Sequence, residues 1–118
     1  MIFVFGSNEG GIHGAGAAKE ARLKHGAVNG CGYGHVGNSF AIPTKDRHIA
    51  ITLPPTVIQK YIDAFVMYAE GRIDLEFQVT RIGCGLAGLE DKNVAPMFKY
   101  APANCYFDSK WGMFLSHK

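Results

Sequence analysis

At 118 residues the chain is long enough for one modest hydrophobic core and leaves no room for a second functional module. An apolar fraction of 47% and a charged fraction of 19% are those of an ordinary globular protein, which argues against a disordered or fibrous chain. Its 12 basic and 10 acidic residues leave a net charge of +2, too weak a bias to imply a nucleic-acid-binding patch.

The first predicted element is a strand at Ile2–Phe5, a continuous apolar run ended by Gly6, as in a strand buried on both faces of a mostly parallel sheet. A loop from Gly6 to Gly14 follows, then a small-residue helix over about Ala15–His25, with Gly26 placed to stop it. Residues Gly30 to Gly37 read as loop, and Ser39–Pro43 as a second short strand running into Thr44-Lys45-Asp46. Ile49–Leu53 is either a further strand or an extended connection. Pro54-Pro55 then opens the clearest helix, in which Ile58, Tyr61, Ile62, Phe65 and Ala69 recur at helical period and Thr56 and Gln59 have capping-box spacing. Leu75, Phe77 and Val79 alternate with polar residues, which is strand periodicity. After the loop Gly83–Gly88, a helix is predicted over roughly Asp91–Tyr100, capped by Asn93 so that Pro96 falls in its first turn. Asn104–Phe107 is a last strand, and residues from Trp111 onward carry no pattern. Strand and helix in alternation predict an α/β class: a compact three-layer fold, a mostly parallel mixed sheet with helices on both faces, in one domain over residues 1–118.

The three cysteines are far apart and form no C-x-x-C pair, which fits a reducing compartment and argues against a closed zinc site. The first five residues are too short and insufficiently basic for a signal peptide, and no apolar run approaches a membrane span. A cytoplasmic protein without a metal, a cofactor or a membrane partner is the reading.

Glycine is the unusual feature. There are 15, and eight fall between Gly6 and Gly32, in segments that must be loops, a pattern of backbone brought close to a ligand. Two loops share one arrangement in which a strand ends, glycines follow and a helix begins. There glycines let backbone N–H groups approach an anion while the helix N-terminus adds partial positive charge, so a phosphate or diphosphate is expected. A tight turn explains either loop alone. Two with one arrangement in so short a chain favour a shared cleft at the carboxyl ends of the strands. Gly-x-Gly-x-x-Gly occurs at Gly32–Gly37, where a strand follows instead of a helix, and at Gly83–Gly88, where the context is right and Asp108 lies at a dinucleotide-fingerprint distance. A Rossmann-type dinucleotide binder is therefore a rival, although little chain remains after residue 83 to complete such a site.

Phe5-Gly6-Ser7-Asn8 followed by Gly11-Ile12-His13-Gly14-Ala15-Gly16-Ala17-Ala18 resembles the first ligand loop of macro domains. Arg81-Ile82-Gly83-Cys84-Gly85-Leu86-Ala87-Gly88-Leu89 is similar to their second phosphate loop, and closest to the branch of ADP-ribosyl glycohydrolases acting on acidic side chains or DNA bases. Ala41-Ile42-Pro43-Thr44-Lys45-Asp46 looks like the lysine segment of that branch, and the whole chain resembles short macro-like proteins of phages and bacteria. The resemblance implies ADP-ribose, or an ADP-ribosylated DNA or protein, as partner. It places Asn8 at the distal ribose, Lys45 at the anomeric carbon, and the diphosphate between a first wall of Gly6, Ser7, Gly11, His13, Gly14, Ala15, Gly16 and Ala17 and a second of Gly83, Cys84, Gly85, Leu86, Ala87 and Gly88. Two departures stand out. Met1–Phe5 offers no acidic residue for adenine, and Ala87 stands where glycohydrolases of acidic side chains place an acid, as in the DNA-directed members or in a protein without catalysis.

Each of these residues also has an ordinary reading. Lys45 can stabilise developing charge or, desolvated and neutral, attack the anomeric carbon; it can equally snorkel at a strand end. Asn8 either orients ribose hydroxyls or caps a turn. His13 either touches the ligand or is structural. Asp46 and Asp91 are candidate general bases, a turn residue and a helix-start residue otherwise. Tyr33 and His35 are candidates for stacking on a base, and Cys84 reads as a packed small residue.

Overall fold

The computed structural model describes residues 1–115. Five strands form one sheet in the order β2-β3-β1-β4-β5. They span Ile2–Asn8 (β1), Gly34–Val36 (β2), Ser39–Lys45 (β3), Phe77–Val79 (β4) and Cys105–Phe107 (β5). β1 runs parallel to both β3 and β4, β4 runs parallel to β5, and β2 alone is antiparallel. The chain thus starts in the middle, fills one side with β2 at the edge and β3 between it and β1, and then builds the other side through β4 and β5. The carboxyl end of β1 is the switch point of the sheet, where an open α/β fold leaves a crevice.

Alternation along β1 divides the core into two layers. Ile2 and Val4 point to one face, with Phe40, Ile42, Phe77 and Val79 of the neighbouring strands. Helix α2 (Pro55–Glu70) covers this face with Ile58, Ile62, Phe65 and Ala69, joined by Phe98 and Trp111 from two 3₁₀ segments, Ala95–Phe98 and Ser109–Phe114. Phe3 and Phe5 point the other way, onto Ala18 and Ala21 of α1 (Gly16–Lys24). The alanines let α1 lie close to the sheet, with Gly26 (φ 82°) ending it in left-handed backbone. Helices on both faces of a mixed sheet give the three layers expected from the sequence.

Several local expectations are corrected. Gly34–Val36 within the expected loop is strand β2, because His35 pairs with Phe40 at the sheet edge. Thr56 and Gln59 make no capping box: α2 starts at Pro55 without a side-chain cap, and Gln59 bonds Asp63 and the Met97 carbonyl instead. The helix predicted over Asp91–Tyr100 is broken. A four-residue α3 (Asp91–Val94) already contains Asn93, so Asn93 is not its cap, and Pro96 falls in the first turn of the 3₁₀ segment that follows. The segment from Trp111 onward is structural up to Leu115, with Trp111 fully buried against Phe98 and Phe107.

Candidate functional site

The crevice at the end of β1 is a cleft of about 470 Å³, within the range of small-molecule sites. One wall is residues 14–18, where the chain enters α1; the other is residues 80–83 and 85–87, following β4. The floor is Gly6, Ser7 and Asn8, with Thr44 and Lys45 beside them. Two loops some 70 positions apart in sequence therefore face one space, as the phosphate reading requires. They also approach each other: a β-carbon on Gly16 would lie 3.5 Å from Leu86 Cδ1.

The floor is shaped by an irregularity. In the β1/β3 pairing Ser7 lies opposite Pro43 but Asn8 opposite Lys45, so Thr44 is an extra residue in the ladder. A bulge breaks the in-out alternation and re-aims side chains, and both Thr44 and Lys45 line the cleft. Gly6 leaves room for the second loop, since a β-carbon there would meet the Gly83 nitrogen at 3.2 Å.

Helix α1 begins at the cleft without a side-chain cap on Ala15. Its first N–H groups lack intrahelical acceptors by geometry and carry the positive end of the helix dipole. Across the cleft, the N–H groups of Gly85, Leu86 and Ala87 have no backbone acceptor among the described residues. Such donors suit a dianionic diphosphate. Among the described residues lining the cleft none is Asp, Glu, His or Cys, so nothing there repels an anion.

Both walls are braced from behind. Asn8 Nδ2 donates to the Ile12 carbonyl at 2.8 Å and Asn8 Oδ1 accepts from the Ile12 N–H at 3.0 Å, closing the first loop on itself. One N–H and one lone pair of the amide remain for a ligand. The second wall is held by the Thr52 hydroxyl, which donates to the Ala87 carbonyl at 2.9 Å, and by the Leu89 N–H on Gly83 O. At its base Arg81 makes a two-pronged pair with Asp91, at 2.8 and 2.6 Å, and Trp111 Nε1 donates to the same carboxylate at 2.7 Å. Hydrogen bonds from Arg81 first, then Trp111, hold the Asp91 carboxyl well below the usual range.

Of the residues named from the sequence, the cleft gathers Gly6, Ser7, Asn8, Gly14, Ala15, Gly16, Ala17, Lys45, Gly83, Gly85, Leu86 and Ala87. Gly11, His13, Cys84 and Gly88 do not line it. His13 turns inward, 1% exposed, with Nε2 on the Cys31 carbonyl at 3.0 Å and its ring edge-on to Phe5. Gly11 is needed where the backbone passes Gly30 and Cys31, too close for a β-carbon. The Cys84 thiol is pushed up to about 12, by burial first and the neighbouring Asp91 next, so it is no nucleophile. Asp46 is a turn residue whose carboxylate accepts the Ala50 and Ile51 N–H groups, and the Ile51 bond is the main reason its pKa is lowered. Tyr33 packs on Phe40 and Tyr61, and His35 bonds the Tyr68 hydroxyl, both away from the cleft. Ile49 and Thr80 line it and were not named as site residues from the sequence, and Ile12, Ala18, Thr44, Arg81 and Ile82, which line it too, stand there only as parts of the quoted motifs; solitary side chains in irregular segments carry no periodic signal. The Gly83–Gly88 stretch opens no helix directly and is followed only by the four residues of α3, so the geometry of a dinucleotide fingerprint does not form.

No family model matches the sequence, and no curated protein matches it. Among solved structures, that of Thermosipho africanus DarTG in complex with ADP-ribose is similar in fold, with 16% sequence identity and a TM-score of 0.62 over 93% of this chain. The present chain spans 39% of the length of that one. The likeness bears out the macro-like α/β architecture expected from the glycine loops and the Pro-Thr-Lys segment. No helix among the described residues is long and apolar enough to cross a membrane.

Proposed function

We propose that this chain binds ADP-ribose, or a closely related NAD-derived diphosphate, in the cleft at the end of β1, and hydrolyses ADP-ribosyl conjugates of DNA or protein there. One observation carries the reading: two glycine loops distant in sequence open on a single space, with the uncapped start of α1 on one side and the amides of residues 85–87 on the other. That the structurally similar DarTG was solved with ADP-ribose supports it.

In this reading the diphosphate lies between the loops and the distal ribose over Asn8 and Lys45. Lys45 carries the chemistry, because the Ser7 and Thr44 hydroxyls are turned onto the Asn8 and Ser7 carbonyls. Its amine adds to the anomeric carbon as the bond to the conjugate breaks. The bonding pair leaves with the released group, which takes up the proton shed by the amine. Water then displaces the lysine, giving free ADP-ribose and restoring Lys45. The cytoplasm, where the dispersed cysteines stay reduced, is the proposed location.

A binding-only role is the second reading, favoured by Ala87 and by the lack of any carboxylate among the described lining residues to assist water. Calorimetric titration with ADP-ribose and with NADH tests the ligand; preference for NADH, or binding of neither, overturns the proposal. ADP-ribosylated DNA and protein, incubated with wild type and with Lys45→Ala, test the chemistry. Release by wild type and not by the variant is expected. Tight ADP-ribose binding without release by either establishes the binding-only role.

A further inference from the structure

Among the described residues, Ile49 is the one non-glycine residue in left-handed backbone, at φ 58°. For a β-branched side chain that conformation is an outlier, and the surrounding turn enforces it. The Ile49 N–H donates to the Asp46 carbonyl, the Asp46 carboxylate accepts from Ala50 and Ile51, and Lys45 bridges to Thr52. The fold gains nothing visible in return, because Ile49 is 37% exposed and belongs to neither core cluster. It does line the cleft, four residues after Lys45. Ile12 and Leu86 share all of these features except the strain: both line the cleft, both lie outside the core, and both are more than half exposed. Strain kept at a cleft, at a residue that stabilises nothing else, is where a ligand contact is to be sought.

The geometry points to Ile49 as a specificity-determining residue: with Ile12 and Leu86 it forms an aliphatic collar against the carbon face of the sugar beyond the diphosphate. The assignment rests on the reading of the cleft as an ADP-ribose site. It makes the distal sugar, and not only the diphosphate, a source of affinity, so adenosine diphosphate is the informative control ligand.

The experiment compares wild type, Ile49→Gly and Ile49→Asn by calorimetry with ADP-ribose and with adenosine diphosphate, and by thermal melting. Gly relieves the strain, while Asn tolerates left-handed backbone and keeps the turn without the aliphatic contact. Both variants are expected to melt no lower than wild type, to bind ADP-ribose about five- to tenfold more weakly, and to bind adenosine diphosphate as wild type does. Unchanged ADP-ribose affinity in Ile49→Asn, equal losses for both ligands, or a lowered melting temperature in both variants overturns the role of Ile49 while leaving the site in place. Binding of neither ligand by wild type removes the site itself, and the collar with it.

Discussion

Gly83 is where the backbone of the second loop can be tested with no ligand present. It sits at φ 78°, and a β-carbon there would lie 2.7 Å from Leu89 Cδ1 and 3.4 Å from Thr44 Cγ2. In Gly83→Ala, left-handed backbone costs an alanine about 1–2 kcal/mol. Turning Leu89 aside adds about 0.5–1.5 kcal/mol, and the stiffer unfolded chain returns about 0.4–1 kcal/mol. The net loss is about 1–2.5 kcal/mol, which for a domain of this size lowers the melting temperature by about 4–10 °C. Gly85→Ala is the matched control, since Gly85 has no positive φ and a β-carbon there meets nothing within 4 Å. Its stability should stay within about 0.5 kcal/mol of wild type, while on the proposed reading a methyl group added to this lining residue weakens ADP-ribose binding. Urea unfolding and calorimetry on the two variants give the four numbers. A Gly83→Ala protein as stable as wild type would refute the view that the loop backbone is fixed by Leu89 and Thr44 before any ligand arrives.

Asn8→Ala removes two hydrogen bonds to Ile12 in a buried setting and should cost about 1–3 kcal/mol by urea unfolding; wild-type stability with lost ligand affinity would assign Asn8 to the ligand alone. Asp91 gives a pH dependence. Its folded pKa lies below its unfolded one, so its stabilisation is complete above about pH 4 and is lost as pH falls through the lower folded value. Asp91→Asn is expected to be less stable at pH 7 and to lose less on acidification, the remaining slope coming from groups such as Asp46 and Asp74, also lowered; parallel acid limbs for wild type and variant in pH-dependent melting would contradict this.

Legibility in the sequence followed the range of the physics. Strand β1 and helix α2 were plain because burial imposes a local period: a solid apolar run in one, Ile58, Ile62, Phe65 and Ala69 on one face in the other. The two glycine loops were legible for a different reason, since a chain needs glycine where backbone crowds backbone, as at Gly11, or where it turns left-handed against packed side chains, as at Gly83. What failed depended on partners distant in sequence. Short β2 has no pattern of its own and exists because β3 offers it an edge. His13 sits amid the glycines, yet Phe5 beneath it and the Cys31 carbonyl beside it draw the ring inward. The Trp111 segment was opaque because its anchor, Asp91, lies twenty positions earlier and looked like a helix-start residue.

The bracing also bears on how the proposed diphosphate would be held. Ordering two flexible loops on binding would cost much of the affinity that their amides provide, and preorganisation avoids that cost. Here each loop is fastened to a different part of the fold: the first to the residues 29–31 turn, through Asn29 on the His13 N–H and Gly11 O on the Gly30 N–H, the second to the turn after β3 by Thr52 and to Trp111 through Asp91 and Arg81. The 3₁₀ segment Ser109–Phe114 is thus part of the site's support even though it lines none of it. Because the two sets of fastenings share no residue, loosening one should leave the other set of fastenings in place, while the contact between Gly16 and Leu86 couples the walls themselves.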